Sequence, residues 1–185
     1  MNIFVLDADP RLAAKYHCDK HVVKMVLESA QMLCTAHWVL RLQTLGKSID
    51  DFKRVRDAKQ YALENLPAVF IPPYSMSHVR HPCTTWTSST RGNYNWHVSF
   101  MRELLDEYES RYKRQHKCEA VYKWLRLGPP PNIPDLDITP HPQCMPNDCK
   151  VPDDTVKAYR NYYIKHKAAI AKWRHGDAPW WWKVV

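Results

Sequence analysis

The sequence predicts an all-α fold, a compact single-domain bundle of about five to seven helices joined by a long proline-rich loop. Three observations carry that expectation. Apolar residues recur with helical spacing in segment after segment, and alternation of period two is almost absent. Capping residues and prolines stand where those segments begin and end. Only four glycines occur among 185 residues, which argues against folds built on glycine-rich phosphate loops. The hydrophobic fraction of 45% is an ordinary globular value, and one domain of this length can bury a core without staples.

Residues 2–7 are short and apolar, a strand or an extended lead-in. Asp9-Pro10 then reads as a helix start, with Asp9 capping and Pro10 in the first turn. The helical pattern runs to about Leu45 and stops at Gly46, with a break at His17-Cys18-Asp19 where Asp19 can cap anew. Ser48 and Asp51 have capping-box spacing and are expected to open a helix to about Asn65, before Pro67. Residues 66–77 hold three prolines and form a loop. Pro82 suits the first turn of a short helix through Thr90. Gly92 interrupts it, and Asn93 is expected to cap a long helix to about Gln115. Residues 117–127 make another helix. The stretch 128–152 holds eight prolines and must be largely extended. Asp153 is expected to cap a last helix to about Arg174, followed by a Trp-rich tail over 175–185.

Net charge is +8, and eight Trp and ten Tyr accompany it. A basic, aromatic-rich chain suits a polyanionic partner with stackable rings, meaning nucleic acid (DNA) or a nucleotide. The plainer reading is solubility through net charge. The first residues lack a basic n-region, so no export signal is expected. No segment approaches the roughly 18 apolar residues of a membrane span, so no membrane partner is expected. The six cysteines form no CxxC pair and read as reduced thiols. Neither GxxxxGK[ST] nor GxGxxG occurs, and no cofactor is expected.

Residues 17–40 are apolar around most of the helix, which predicts burial. The polar exceptions His17, His21, Lys24, Glu28, Gln31 and Thr35 are spaced by four, three, four, three and four, so they lie on one face. As a narrow solvent face, the stripe holds ordinary pairs such as Lys24 with Glu28. As the wall of a cleft, it brings two imidazoles, an amine and a carboxylate together, which is the composition of an acid–base site. There Glu28 is the natural general base, His17 and His21 are acid–base groups or anion ligands, and Lys24 is a phosphate holder or amine nucleophile. Gln31 extends the stripe as a ligand-bonding group.

A second constellation, His78-Val79-Arg80-His81-Pro82-Cys83, packs two His and one Arg at a helix N-terminus, where phosphate is favoured. Trp86, Asn93, Tyr94 and Trp96 follow, and aromatics beside basic groups suit a flipped or single-stranded base. The alternative is that Trp86 and Trp96 belong to the core. On the last helix Arg160, Tyr163 and Lys167 share one face, expected to contact phosphate or to be a solvated basic surface. Two metal readings remain open. HxxxH at His17 and His21 presents two imidazoles, with Glu28 two turns on; His141, Cys144 and Cys149 offer three weaker candidates in the proline-rich loop.

The runs HCDKHVVKM, ESAQML, HPCTTW, NYNW, EYESRYKRQHK and AYRNYY resemble a family of short proteins common in tailed bacteriophages. That resemblance covers nearly the whole chain and implies the cytoplasm of an infected bacterium as its setting. A fainter similarity is to the pyrimidine-dimer DNA glycosylase (endonuclease V) family, whose members are small, basic and helical. It implies a catalytic role for Glu28 and an aromatic-basic C-terminal cluster at Trp180–Lys183. The viral prototype of that family uses the α-amine of a Thr exposed by Met removal. Asn2 stands here and its size disfavours that removal, so Lys24 is the expected substitute nucleophile. Three functions follow as expectations: a glycosylase-like enzyme acting on a DNA base or its N-glycosidic bond, a nucleotide-sequestering module without catalysis, and a metal-dependent hydrolase.

Overall fold

A computed structural model describes residues 1–182. Among these the fold is all-α, with seven α-helices and no strand: α1 (Pro10–Lys15), α2 (Asp19–Thr44), α3 (Val55–Asn65), α4 (Pro82–Ser89), α5 (Arg91–Tyr112), α6 (Glu119–Leu125) and α7 (Thr155–Tyr162). None of their helices is long and apolar enough to cross a membrane. Lys183, the last residue of the expected C-terminal cluster, lies outside the described residues.

α2 is the axis. It packs against α4 and α5 on one side and against α3 and α6 elsewhere, while α1 lies on α5. Its apolar residues on several faces therefore have partners. Val26, Leu33, Phe100, Leu104 and Tyr159 share the main core, and Trp38, Leu42, Ala58 and Ala62 form a smaller cluster under α3. The extended segment Ile3–Leu6 is threaded through the main core.

The break between α1 and α2 has a visible cause. Asp9 caps α1 by accepting from Arg11 N–H at 2.8 Å. At its other end the buried Arg111 of α5 donates to the carbonyls of Lys15 (2.9 Å) and His17 (2.8 Å) and to Asp19 Oδ1 (3.1 Å). A guanidinium satisfies helix-end carbonyls that would otherwise be stranded. Cys18, not Asp19, occupies the N-cap position of α2, and Asp19 stands in its first turn.

Three expected boundaries are corrected. The Ser48/Asp51 capping box forms, but it closes only a single 3-10 turn at Ile49–Asp51, and α3 starts later at Val55. Thr90, not Asn93, caps α5, accepting from Asn93 N–H at 3.0 Å. The last helix is capped by Asp154 rather than Asp153, and its α-helical part stops at Tyr162. A π-helical turn follows at Tyr163–Lys167, with Tyr163 buried in the core.

The proline-rich segment is an ordered strap. Arg91 N–H and Gly92 N–H donate to Pro134 O (2.8 Å) and Leu136 O (3.0 Å). Asn93 is buried and exchanges hydrogen bonds with Thr139: its Nδ2 donates to Thr139 Oγ1 at 2.9 Å and its Oδ1 accepts from Thr139 N–H at 2.8 Å. Gly92 is what lets the strap approach. A Cβ there would stand 2.3 Å from Ile138 N and 2.5 Å from Asp137 C, both backbone atoms with little room to yield. Gly92→Ala is expected to cost at least about 2 kcal/mol, as forced overpacking does. Urea unfolding measures this, and a midpoint equal to wild type would refute the close approach.

Candidate functional site

The polar stripe of α2 divides along its length. His17 and His21 lie in the core rather than in a cleft. His17 Nδ1 meets Ala13 O at 2.6 Å, and His21 Nδ1 meets Tyr163 OH at 2.5 Å. Phe4 stacks on His21 with ring centroids 4.5 Å apart. Burial lowers the pKa of His17 to about 3, helped by the neighbouring His21 and Arg111, and that of His21 to about 4, helped by Lys167 and Lys24. Both rings are therefore neutral. Thr35, at the far end, is also interior and donates to Gln31 O at 2.7 Å.

Between these ends the stripe reaches the surface. Glu28 is 8% exposed, and its carboxylate is held from three sides. Lys24 Nζ lies 3.1 Å from Oε1, Asn2 backbone N–H donates to Oε2 at 3.0 Å, and the amino group of Met1 is 3.8 Å from Oε2. A largely buried carboxylate is stable when charges and donors surround it in this way. Lys24 is mostly exposed, so one amine stands at the mouth of the site and the other on its inner side.

Asn2 is fixed by contacts from distant parts of the chain. Its Oδ1 lies 2.8 Å from Tyr159 OH of α7, and its Nδ2 donates to Cys144 O of the strap at 2.9 Å. From the second constellation, His81 and Cys83 come to this place. Cys83 Sγ lies 3.5 Å from Asn2 Oδ1 and 3.6 Å from Cys144 Sγ. His81 caps α4 through Cys83 N–H at 3.2 Å. Its pKa is lowered first by burial, then by the Met1 amine and His78, with Glu28 opposing. The two constellations thus meet, but through His81 and Cys83 and not through Arg80.

Arg80 points elsewhere, into an exposed pair with Asp50 at 2.6 Å. Trp86 is buried, donating to Thr139 O at 3.1 Å and stacked on His141 at 4.0 Å. Trp96 donates to Ala8 O at 2.8 Å and stacks on Phe100. Neither indole offers a free stacking face beside Glu28. Arg160 donates to Leu6 O (2.9 Å), pairs with Asp7 (3.0 Å) and lies 5.4 Å from the centroids of both Trp180 and Trp181. Tyr163 is wholly buried, and Lys167 Nζ sits 4.6 Å from the Tyr162 ring centroid. The expected Arg160–Tyr163–Lys167 surface is therefore divided between the core and internal pairs.

Along the outer face of α2 beside Lys24 runs a cleft of about 670 Å³, lined by Val23, Leu27, Tyr74, Tyr108, Arg114 and Lys117 among others. A second groove of about 390 Å³ shares Leu27 and Tyr74 and continues to Gln31 and Ser77. Together they make an apolar floor with aromatic walls and basic rims. Val23 and Leu27 read as core in the sequence, yet they are about 40% exposed here. Tyr74 was signalled by no motif, and Tyr108 lay in the run EYESRYKRQHK without being assigned a role, because each lies on a different element from the stripe.

Neither expected metal set assembles. Among the described residues, ligand atoms converge within 4.8 Å of one another at His81, Cys83 and Cys144, and at Asp148, Cys149 and His166. His17, His21 and Glu28 belong to neither group. The loop trio separates: His141 stacks on Trp86, Cys144 joins the first cluster and Cys149 the second. Comparison with protein-family models, with curated proteins and with solved structures returns no match for this chain.

Proposed function

We propose that the protein is a DNA glycosylase-like enzyme that breaks the bond between a base and its sugar, acting in the cytoplasm of an infected bacterium as the phage resemblance implies. The observation that carries this reading is the Glu28 carboxylate bracketed by two amines, Lys24 Nζ at 3.1 Å and the Met1 amino group at 3.8 Å.

An amine beside a carboxylate suits this chemistry. The amine loses a proton to Glu28, and its lone pair attacks C1′ of the deoxyribose. The C1′–N bond breaks, and the base leaves with the bonding electrons and takes up the second proton shed by the now cationic attacking nitrogen. Glu28 returns its proton to the ring oxygen as the sugar opens, leaving the sugar joined to the amine as an imine. Water hydrolyses the imine and frees the amine. The core histidines take no part, so the proton chemistry rests on Glu28 alone.

The neighbouring surface supports a nucleic-acid substrate. A flipped base needs a pocket with aromatic or apolar walls, and backbone phosphates need cations at its rim. The cleft beside Lys24 offers Tyr74 and Tyr108 for the first and Arg114 and Lys117 for the second.

Sodium borohydride tests the imine directly, since reduction makes the link permanent. Duplexes carrying ultraviolet dimers, mismatches or abasic sites are incubated with the protein and reductant, and adducts are located by peptide mass mapping. The expected result is an adduct on Lys24 or on the Met1 amine. An adduct on a remote lysine such as Lys165, or neither adduct nor base release from any of these duplexes, overturns the proposal.

A further inference from the structure

The thiols of Cys83 and Cys144 and the imidazole of His81 converge from three local settings: the first turn of α4, the proline-rich strap, and the residue that caps α4. We infer that these three side chains form a binding site for a divalent zinc-like cation, with one coordination position left open beside Asn2.

The geometry fits. Zinc holds thiolate sulfur at about 2.3 Å, so two sulfurs on a tetrahedral ion lie about 3.8 Å apart. Cys83 Sγ and Cys144 Sγ are 3.6 Å apart, and a ring nitrogen of His81 lies within 4.8 Å of both. An ion placed between them needs only tenths of an ångström of adjustment from each sulfur. A disulfide, by contrast, needs about 2.05 Å. The chemistry fits as well. Two thiolates and one neutral imidazole are a familiar zinc donor set, and borderline-soft metals select them over hard cations.

Charge also balances. Binding releases two thiol protons to solvent, and the two thiolates cancel the ion's charge, so no isolated charge is buried. The pair is already polarised in this sense. The Cys83 thiol hydrogen bond brings Cys144 down to about 7, and Cys83 is pushed up in return. Lys150 adds to the lowering at Cys144.

The site has a structural consequence. Asn2 Nδ2 already holds Cys144 O, and Asn2 N–H holds Glu28. A cation on Cys144 and Cys83 would staple the strap to α4 and fix the segment that positions the Glu28 carboxylate. The inference does not depend on glycosylase chemistry. Base release and metal content are separate measurements and can fail separately.

The test uses the full chain, purified under reducing conditions and titrated with zinc. About one zinc per chain is expected. Zinc should shield Cys83 and Cys144 from iodoacetamide, read by mass mapping against protein treated with chelator, and this arm needs no variant. Cobalt in place of zinc should give sulfur-to-metal charge-transfer absorption and the intense visible bands of a tetrahedral site. Cys83→Ser and Cys144→Ser should each lose the metal, while Cys149→Ser, in the other cluster, should keep it. Three results overturn the inference: no zinc retained by reduced protein, zinc retained by both serine variants, or Cys83 and Cys144 recovered as a metal-free disulfide.

Discussion

Glu28→Gln is expected, on the proposed glycosylase mechanism, to lower base release by about 10²- to 10⁴-fold, the usual contribution of a positioned acid–base group, while leaving the proposed DNA binding in place. The substitution keeps the side-chain shape and an oxygen that can accept from Asn2 N–H. It removes the charge that faces Lys24 at 3.1 Å and the Met1 amine at 3.8 Å, and it removes the proton acceptor. Binding is measured by fluorescence anisotropy with a labelled duplex, and turnover by chromatography of released base. Circular dichroism and urea unfolding check that the variant folds, since the Met1 amine loses its partner. Turnover equal to wild type removes Glu28 from the chemistry. Should the wild type bind a nucleotide tightly and return it unchanged, with no turnover on any duplex, the sequestering function replaces the enzymatic one.

The second large effect is loss of stability in mild acid. His17, His21, His37 and His97 are buried, and burial is the largest cause of their depression, to about 3, 4, 3 and 3. An unfolded chain binds protons on these rings near 6.5, whereas the folded chain refuses them until the pH is far lower. Below 6.5 the unfolded state therefore holds more protons, and stability falls as pH falls. Each ring contributes between about 1 and 2 kcal/mol of loss by pH 5.5, so four contribute on the order of 5 to 6 kcal/mol. That is a large share of the 5–15 kcal/mol that typically holds a domain together.

The hydrogen bonds explain why these rings stay neutral. Thr87 Oγ1 donates to Cys83 O, so His97 Nδ1 supplies the proton in their 2.8 Å contact. Tyr94 OH donates to Leu125 O, so His37 Nε2 supplies the proton in their 2.7 Å contact. In both rings the second nitrogen is buried with no partner, as is Nε2 of His17. A proton added there would bring a charge into the core with nothing to pair it. Urea titrations at pH 7.5, 6.5 and 5.5 measure the effect, and a flat stability across that range would refute it.

Much of the architecture was legible because its signals are local. Asp9-Pro10 marks a helix start through one side chain and one fixed dihedral. The length of α2 follows from continuous helical spacing of apolar residues. The Lys24–Glu28 pair follows from their separation by one helical turn. The misplaced boundaries share another origin. α5 is capped by Thr90 rather than Asn93, whose side chain is committed to Thr139, far along the strap. The last α-helix ends at Tyr162, and the π turn that follows contains Tyr163, whose side chain sits in the core against His21.

The candidate site divides in the same way. The sequence by itself determined the all-α class, the order of the helices and the presence of a polar line on α2, because these depend on residues a turn or two apart. Tertiary structure decided which part of that line faces outward. Packing of α5, the π turn at Tyr163 and Ile3–Leu6 closes over His17 and His21, where burial makes charged imidazoles costly. Glu28 is largely buried but stays charged, because Lys24 and the Met1 amine supply charge partners and Asn2 N–H a hydrogen bond. Cys144 and Tyr159 reach Asn2 across more than a hundred residues, and contacts at that separation depend on how the helices pack.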